Sequence, residues 1–153
     1  MRKIHEHIIR MPAFVAKDAL WNGIVEAMRH PDQYIDHMVD VAVLKEEKNG
    51  QFVTMTREID FGQFRLQDKV ELEQGKTART LVAQGPTWPA SSFLIKLEEP
   101  EEGHLFVRFL YEDDSSDVGE NPMVLEFRRQ AYEAKDRGMI EYILQSIAVA
   151  EAS

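Results

Sequence analysis

Residues 3–11, Lys3-Ile4-His5-Glu6-His7-Ile8-Ile9-Arg10-Met11, alternate roughly between apolar and polar side chains, and Pro12 interrupts the run. That pattern predicts an opening strand, because strand side chains alternate between faces and proline lacks the N–H a ladder needs. Next, Leu20, Ile24, Ala27 and Met28 fall on one face at helical spacing. They predict a helix capped by Asp18 and ended by Pro31, with a further helical turn from Asp32 to Ile35. From about His37 to Asp113 the period becomes two. Val39–Leu44, Phe52–Phe61, Phe64–Glu73, Thr77–Gln84, Phe93–Glu98 and Leu105–Glu112 read as six strands. They are separated by turn signals such as Asn49-Gly50, Gly62-Gln63, Gln74-Gly75, Gly85-Pro86 and Pro100 with Gly103. Such short connections join antiparallel neighbours, and no helices intervene to make parallel crossovers. Asn121 and Pro122 then open a long helix running to about Ala150.

The expected architecture is therefore α+β: a seven-stranded antiparallel sheet whose apolar face is covered by the long terminal helix. On that helix Phe127, Ala131, Ala134 and Gly138 form a stripe that is mostly small. Gly138 costs about 1 kcal/mol relative to Ala in a helix interior, so it calls for a reason. Close packing of helix on sheet is one. Room for a ligand beneath a curved sheet is the other.

The sharpest pattern lies in Phe64–Glu73. Phe64, Leu66, Val70 and Leu72 share one face with Asp68, and on the preceding strand Val53, Met55, Ile59 and Phe61 share a face with Arg57. A two-residue Gly62-Gln63 hairpin sets Phe61 opposite Phe64 and Ile59 opposite Leu66, and hence Arg57 opposite Asp68. A buried pair of this kind rarely stabilises a fold relative to apolar residues, so it points either to a solvated sheet end or to a polar anchor in an apolar pocket. Pairing with Arg57 would favour the charged carboxylate over the protonated one, which argues mildly against Asp68 as a general base.

Composition narrows the functional classes. The chain has 153 residues, enough for one domain spanning 1–153 with its own core. Its 18 Lys and Arg against 27 Asp and Glu give a net charge of -9, which repels nucleic acid and anionic lipid. With no Cys there is neither a disulfide framework nor a thiolate nucleophile. No apolar stretch approaches the roughly 20 residues of a membrane helix, and the N-terminus lacks the apolar run of a signal peptide, so a cytoplasmic protein without membrane insertion is expected. Phosphate loops, nucleophile elbows and metalloprotease motifs are absent. His5 and His7 share a strand face, but with no second cluster nearby in sequence they read as ordinary histidines, and neither metal nor cofactor is expected. His30, His37 and His104 sit beside turns and read as solvated, as does the acidic run Glu112–Asp117. Trp88, between Pro86 and Pro89, either closes a pocket mouth or packs on the sheet edge. Tyr111 extends the face of Leu105, Val107 and Phe109, which directs its hydroxyl inward.

The order strand, short helices, six-stranded meander and long C-terminal helix resembles the helix-grip superfamily of START domains, polyketide cyclases and pollen-allergen-like (Bet v 1-like) proteins, called SRPBCC. Within it the chain looks like the AtaL-like family. The resemblance rests on Glu6-His7-Ile8, on Leu20-Trp21-Asn22-Gly23-Ile24-Val25, on Gln130-Ala131-Tyr132, and above all on Leu97-Glu98-Glu99-Pro100-Glu101-Glu102-Gly103-His104-Leu105-Phe106-Val107-Arg108-Phe109-Leu110-Tyr111. It spans almost the whole length and implies the fold and an internal cavity, with no catalytic motif to carry over. The leading expectation is binding of a small hydrophobic molecule, lipid-like, polyketide or aromatic. Arg57 and Asp68 would be its polar anchors, and Trp21, Trp88, Tyr111 and Tyr132 its aromatic wall. The alternatives are a cyclase or aromatase using the same cavity, in which Asp68 or a histidine moves a proton, and a protein-interaction module. The sequence leaves ligand identity and oligomeric state open.

Overall fold

A computed structural model describes residues 1–152. The elements are β1 (Arg2–Arg10), α1 (Lys17–Arg29), a single 3-10 turn (Pro31–Gln33), β2 (Asp40–Asn49), β3 (Phe52–Asp60), β4 (Arg65–Glu73), β5 (Thr77–Val82), β6 (Ser91–Glu101), β7 (His104–Asp113) and α2 (Pro122–Ala152). The seven strands form one antiparallel sheet in the order β1-β7-β6-β5-β4-β3-β2. Strands β2 to β7 run as a meander, and β1 closes against β7. This is the helix-grip arrangement: a curved sheet wrapped on one long terminal helix.

Local chemistry accounts for most boundaries. The Asn121 side-chain oxygen accepts from the Met123 N–H at 2.9 Å, with Pro122 in the first helical position of α2. Helix α1 begins one residue before Asp18, and Ala16 at its N-cap provides no side-chain bond. Asp18 instead places its charge in the first turn, where the helix dipole favours an anion. Strand β2 outruns its predicted end at Leu44 and continues to Asn49. Its extension, Lys45-Glu46-Glu47-Lys48, is charged because β2 is a sheet edge, where charge blocks pairing with another chain. Strand β6 carries Pro100 inside it, accommodated where the β6–β7 register shifts between Glu98 and Glu101.

The core is built by Leu20, Trp21, Ile24 and Met28 of α1, Met139, Ile140, Ile143 and Ile147 of α2, and a sheet face including Met55, Val70, Ile95, Val107 and Phe109. Helices α1 and α2 meet at Gly23, where an added Cβ would stand 2.5 Å from Ile143 Cγ2. Packing is thus tight in the C-terminal half of α2. Its N-terminal half meets the sheet through side chains such as Tyr132 on Tyr111, and its Ala131, Tyr132 and Lys135 border a pocket.

The small stripe expected on α2 is only in part its inward face, Ala131 alone of its members bordering the pocket between sheet and helix. Phe127 is 63% exposed and Ala134 is exposed, whereas Asp136, Met139, Ile140 and Ile143 point in. The sequence pattern misled because it assigns charged positions to solvent, and Asp136 is an inward carboxylate. A Cβ added at Gly138 would stand 3.9 Å from the Tyr34 carbonyl oxygen, an ordinary contact that leaves room for a methyl group.

Candidate functional site: a cavity between sheet and terminal helix

The Gly62-Gln63 turn, with Gly62 at φ 87° and the Phe61 N–H donating to the Phe64 carbonyl, sets the β3–β4 register. Arg57 stands opposite Asp68 as expected, with Ile59 opposite Leu66. The pair is bidentate: Nε donates to Oδ1 at 2.8 Å and Nη2 to Oδ2 at 2.6 Å. The remaining terminal nitrogen, Nη1, donates to the Met28 carbonyl at 2.6 Å. Met28 lies in the last turn of α1, where carbonyls have no intrahelical partner and positive charge is favoured. The Tyr34 hydroxyl serves the neighbouring Ala27 carbonyl at 3.1 Å. Arg57 and Tyr34 therefore fix the end of α1 to the sheet and, with it, one wall of a cavity.

That cavity has two lobes. The larger, about 370 Å³, is lined by Met28, Tyr34, Ile59, Phe61 and Leu66, and Arg57 and Asp68 sit at its wall. The smaller, about 190 Å³, reaches Ile4, Ser91, Tyr111 and Arg128. Both lobes share Thr80, Val82, Phe93, Tyr132 and Lys135. The larger volume falls in the range of small-molecule sites, and its lining is mainly apolar with a few polar groups.

Of the expected site residues, the structure brings Arg57, Asp68 and Tyr132 to the larger lobe and Tyr111 to the smaller. Trp21 is 3% exposed inside the core and lines neither lobe. Trp88 also lines neither. Its Nε1 donates to the Ala83 carbonyl and its ring covers Gly85, at atoms about 2.1 Å from where a Cβ would be. An aromatic ladder, His37–Phe61–Phe64–Trp88, links it to the larger lobe, with centroid separations of 5.9, 4.9 and 6.0 Å. His37 itself is exposed and lines that lobe. The acidic run is not wholly solvated: Asp113 is 1% exposed and accepts from Arg128 and Ser115, because β7 extends to it.

A second cluster went unread in the sequence. Asp136, fully buried on α2, accepts the Tyr111 hydroxyl at 2.7 and 2.8 Å and lies 2.6 Å from His7 Nε2, which donates to it. Tyr111 stacks on Tyr132 with centroids 3.8 Å apart. Burial in the first place, then the Asp136 charge, pushes the Tyr111 hydroxyl well above its ordinary value and keeps it a neutral donor. His5 Nε2 lies 3.3 Å from Glu133 Oε2 but out of line for a hydrogen bond. Among the described residues no three His, Asp or Glu side chains are placed to hold a metal ion.

Lys135 is the other unexpected member. Its ammonium sits 3.9 Å over the Phe93 ring and 4.8 Å from that of Tyr111, with Asp136 Oδ1 at 3.6 Å. It is 27% accessible, and the lobes it lines are where that surface opens. Enclosure by ring faces and the sheet lowers its pKa from the ordinary lysine value, against the opposing pull of Asp136. The signal available in the sequence was Tyr132-Glu133-Ala134-Lys135-Asp136 flanked by helical turns, but ionic residues on a helix face read as solvated.

Fold and cavity together define a helix-grip protein. Similar solved structures include a START superfamily protein from Mycobacterium smegmatis, with 12% identity over 92% of this chain and 97% of that one at a TM-score of 0.68. The Zhui aromatase/cyclase from a Streptomyces species shares 11% identity over 95% and 92% at 0.60. The di-domain aromatase/cyclase StfQ of the steffimycin biosynthetic pathway shares 12% at 0.62, covering 90% of this chain, which spans only 49% of that longer one. At these identities the likeness is one of fold. No curated protein matches the chain. A family model described as AtaL, acetylaranotin biosynthesis cluster protein L, matches residues 12–148, and the chain belongs to that family. No helix among the described residues is long and apolar enough to cross a membrane.

Proposed function

We propose that the protein binds a small hydrophobic molecule, aromatic or polyketide-like, in the cavity between the sheet and α2. The observation that carries this reading is the apolar cavity itself, left open beside an otherwise close-packed core and lined by Phe61, Phe93, Tyr34 and Tyr132. A mainly apolar pocket of this volume with a few polar groups has the character of a small-molecule site. Arg57 and Asp68 are proposed to shape the polar end of that wall. Their three mutual and helix-directed bonds make them a rigid rim first and a ligand contact second. An interaction module with a filled, wholly apolar interior would need neither the cavity nor this contact.

The test is saturable binding of N-phenylnaphthylamine followed by its fluorescence. Ala131 lines the larger lobe and is exposed, so Ala131→Trp is expected to obstruct the cavity without disturbing the core. Binding by the parent protein and its loss in Ala131→Trp support the reading. No saturable binding, or binding indifferent to that substitution, overturns it.

A cyclase-like activity in the same cavity is the second reading, favoured by the Tyr111–Asp136–His7 network, of which Tyr111 lines the smaller lobe. Such a network can hold and pass a proton while the cavity confines a reactive chain. Conversion of a poly-β-ketone analogue to one ring pattern, lost in Ala131→Trp, would support it.

A further inference from the structure

Lys135 Nζ has Asp136 Oδ1 as its one carboxylate neighbour, at 3.6 Å, and its amine opens on both lobes of an aromatic-lined cavity. Every other cationic nitrogen at the larger lobe is committed: Arg57 spends Nε, Nη1 and Nη2 on Asp68 and the Met28 carbonyl. We propose that Lys135 is a nucleophile that captures a neutral aromatic aldehyde or ketone in this cavity as an imine. The proposal rests on the ligand-binding reading above and deepens it by naming the ligand class.

Three features select a neutral carbonyl over an anion. The Asp136 carboxylate, 3.6 Å from Nζ and fully buried, repels a second negative group at the same place. The lining rings, Phe93 and Tyr132 among them, offer flat apolar faces to an aromatic body. Enclosure also favours the uncharged amine, the form that attacks carbonyl carbon, and desolvated lysines in apolar pockets are the ones that form Schiff bases.

The chemistry balances without an oxidant or reductant. Lys135 Nζ gives a first proton to Asp136 and attacks the carbonyl carbon; the C–N bond forms, the carbonyl π pair moves to oxygen, and a second proton passes from nitrogen to that oxygen to give a carbinolamine. Asp136 then returns its proton to the hydroxyl, which leaves as one water while the nitrogen lone pair forms the C=N bond, so that the product is a protonated imine beside the Asp136 carboxylate. Asp136 acts here as a positioning and proton-holding residue, and His7, 2.6 Å away, links it to Glu133 and the solvent side of α2. The charged and titratable groups around the amine are Asp136, Tyr132 and Arg128 on α2, Arg57 with Asp68 on β3 and β4, Tyr111 and Glu112 on β7, and Tyr34 and His37 in the segment after α1.

The experiment treats the intact protein with naphthaldehyde and sodium cyanoborohydride near neutral pH, then maps the reduced adduct by peptide mass spectrometry. The expected result is one dominant adduct on Lys135, exceeding the adducts on all exposed lysines together. It should vanish in Lys135→Arg, which keeps charge and stem but forms no imine. Should that variant fail to fold, excess naphthalene added to the parent protein must suppress the adduct by occupying the cavity. Labelling spread evenly over the lysines while N-phenylnaphthylamine still binds overturns the imine and leaves the ligand-binding reading standing. Absence of both adduct and fluorophore binding overturns both.

Discussion

The Arg57 guanidinium joins a strand pair to a helix end: the nitrogen left over from its bidentate grip on Asp68 donates to the Met28 carbonyl at 2.6 Å. Arg57 and Asp68 are 4% and 6% exposed, so neither charge has water to fall back on. Burying the pair costs desolvation, but removing one partner costs more, because the other remains buried and unpaired. Arg57→Met is therefore expected to destabilise the fold by about 3–5 kcal/mol. The double variant Arg57→Met with Asp68→Leu should recover a large part of that loss. Urea denaturation of the three proteins checks both statements, and a single variant as stable as the parent would show the pair to be incidental.

Tyr111 and Asp136 offer a second, independent test. The Tyr111 hydroxyl bridges both Asp136 oxygens, and His7 holds one of them as well. Tyr111→Phe keeps the ring stacked on Tyr132 but removes a bond to a charged acceptor, worth about 1.5–3 kcal/mol. Thermal unfolding of Tyr111→Phe should show that loss while the far-ultraviolet spectrum stays unchanged. A variant of unaltered stability would mean that Asp136 finds an equivalent donor.

Asp113 predicts how stability responds to acid. Burial alone would raise its pKa, but the Ser115 hydroxyl and the Arg128 guanidinium outweigh that and hold the carboxyl below its ordinary 3.8. A depressed folded pKa means that the unfolded chain takes up the proton first. The stabilisation is then fully present above the unfolded value of about 3.9 and is lost as pH falls through the lower folded value. Asp113→Asn should thus be less stable than the parent above about pH 4, with the gap narrowing at more acidic pH. Urea midpoints measured across that range decide it, and a gap that stays constant into strong acid would contradict the assignment.

What the sequence conveyed and what it hid follow from one physical difference. Strand alternation is strict, so two inward series and one glycine turn sufficed to pair Arg57 with Asp68 across the hairpin. A helix face is broader and its charges are usually solvated, so Lys135 and Asp136 read as surface. Asp136 is inward only because Tyr111 and His7, more than 20 residues away in sequence, supply its donors. Trp21 and Trp88 show the same limit from the apolar side. Their types suggested a pocket wall, yet whether an aromatic faces a core, a loop glycine or a cavity depends on neighbours that only the fold brings together.

Two glycines on the helices should respond in opposite directions to one added methyl group. At Gly23 the Cβ would lie 2.5 Å from Ile143 Cγ2, and Ile143 is itself buried at 1% exposure with little room to withdraw. Gly23→Ala gains about 1 kcal/mol of helix propensity but overpacks the α1–α2 crossing, a cost of about 1–3 kcal/mol, so a net loss is expected. At Gly138 the nearest atom is the Tyr34 carbonyl oxygen at 3.9 Å, an ordinary contact, and its φ is not positive. Gly138→Ala keeps the propensity gain without the clash and should stabilise the protein by up to about 1 kcal/mol. Chemical denaturation of the two variants gives the signs directly. If Gly138→Ala instead destabilised the fold, the gap beside Tyr34 would have to be a space the folded protein needs, and its effect on fluorophore binding would then show whether α2 must approach the cavity without a side chain at that turn.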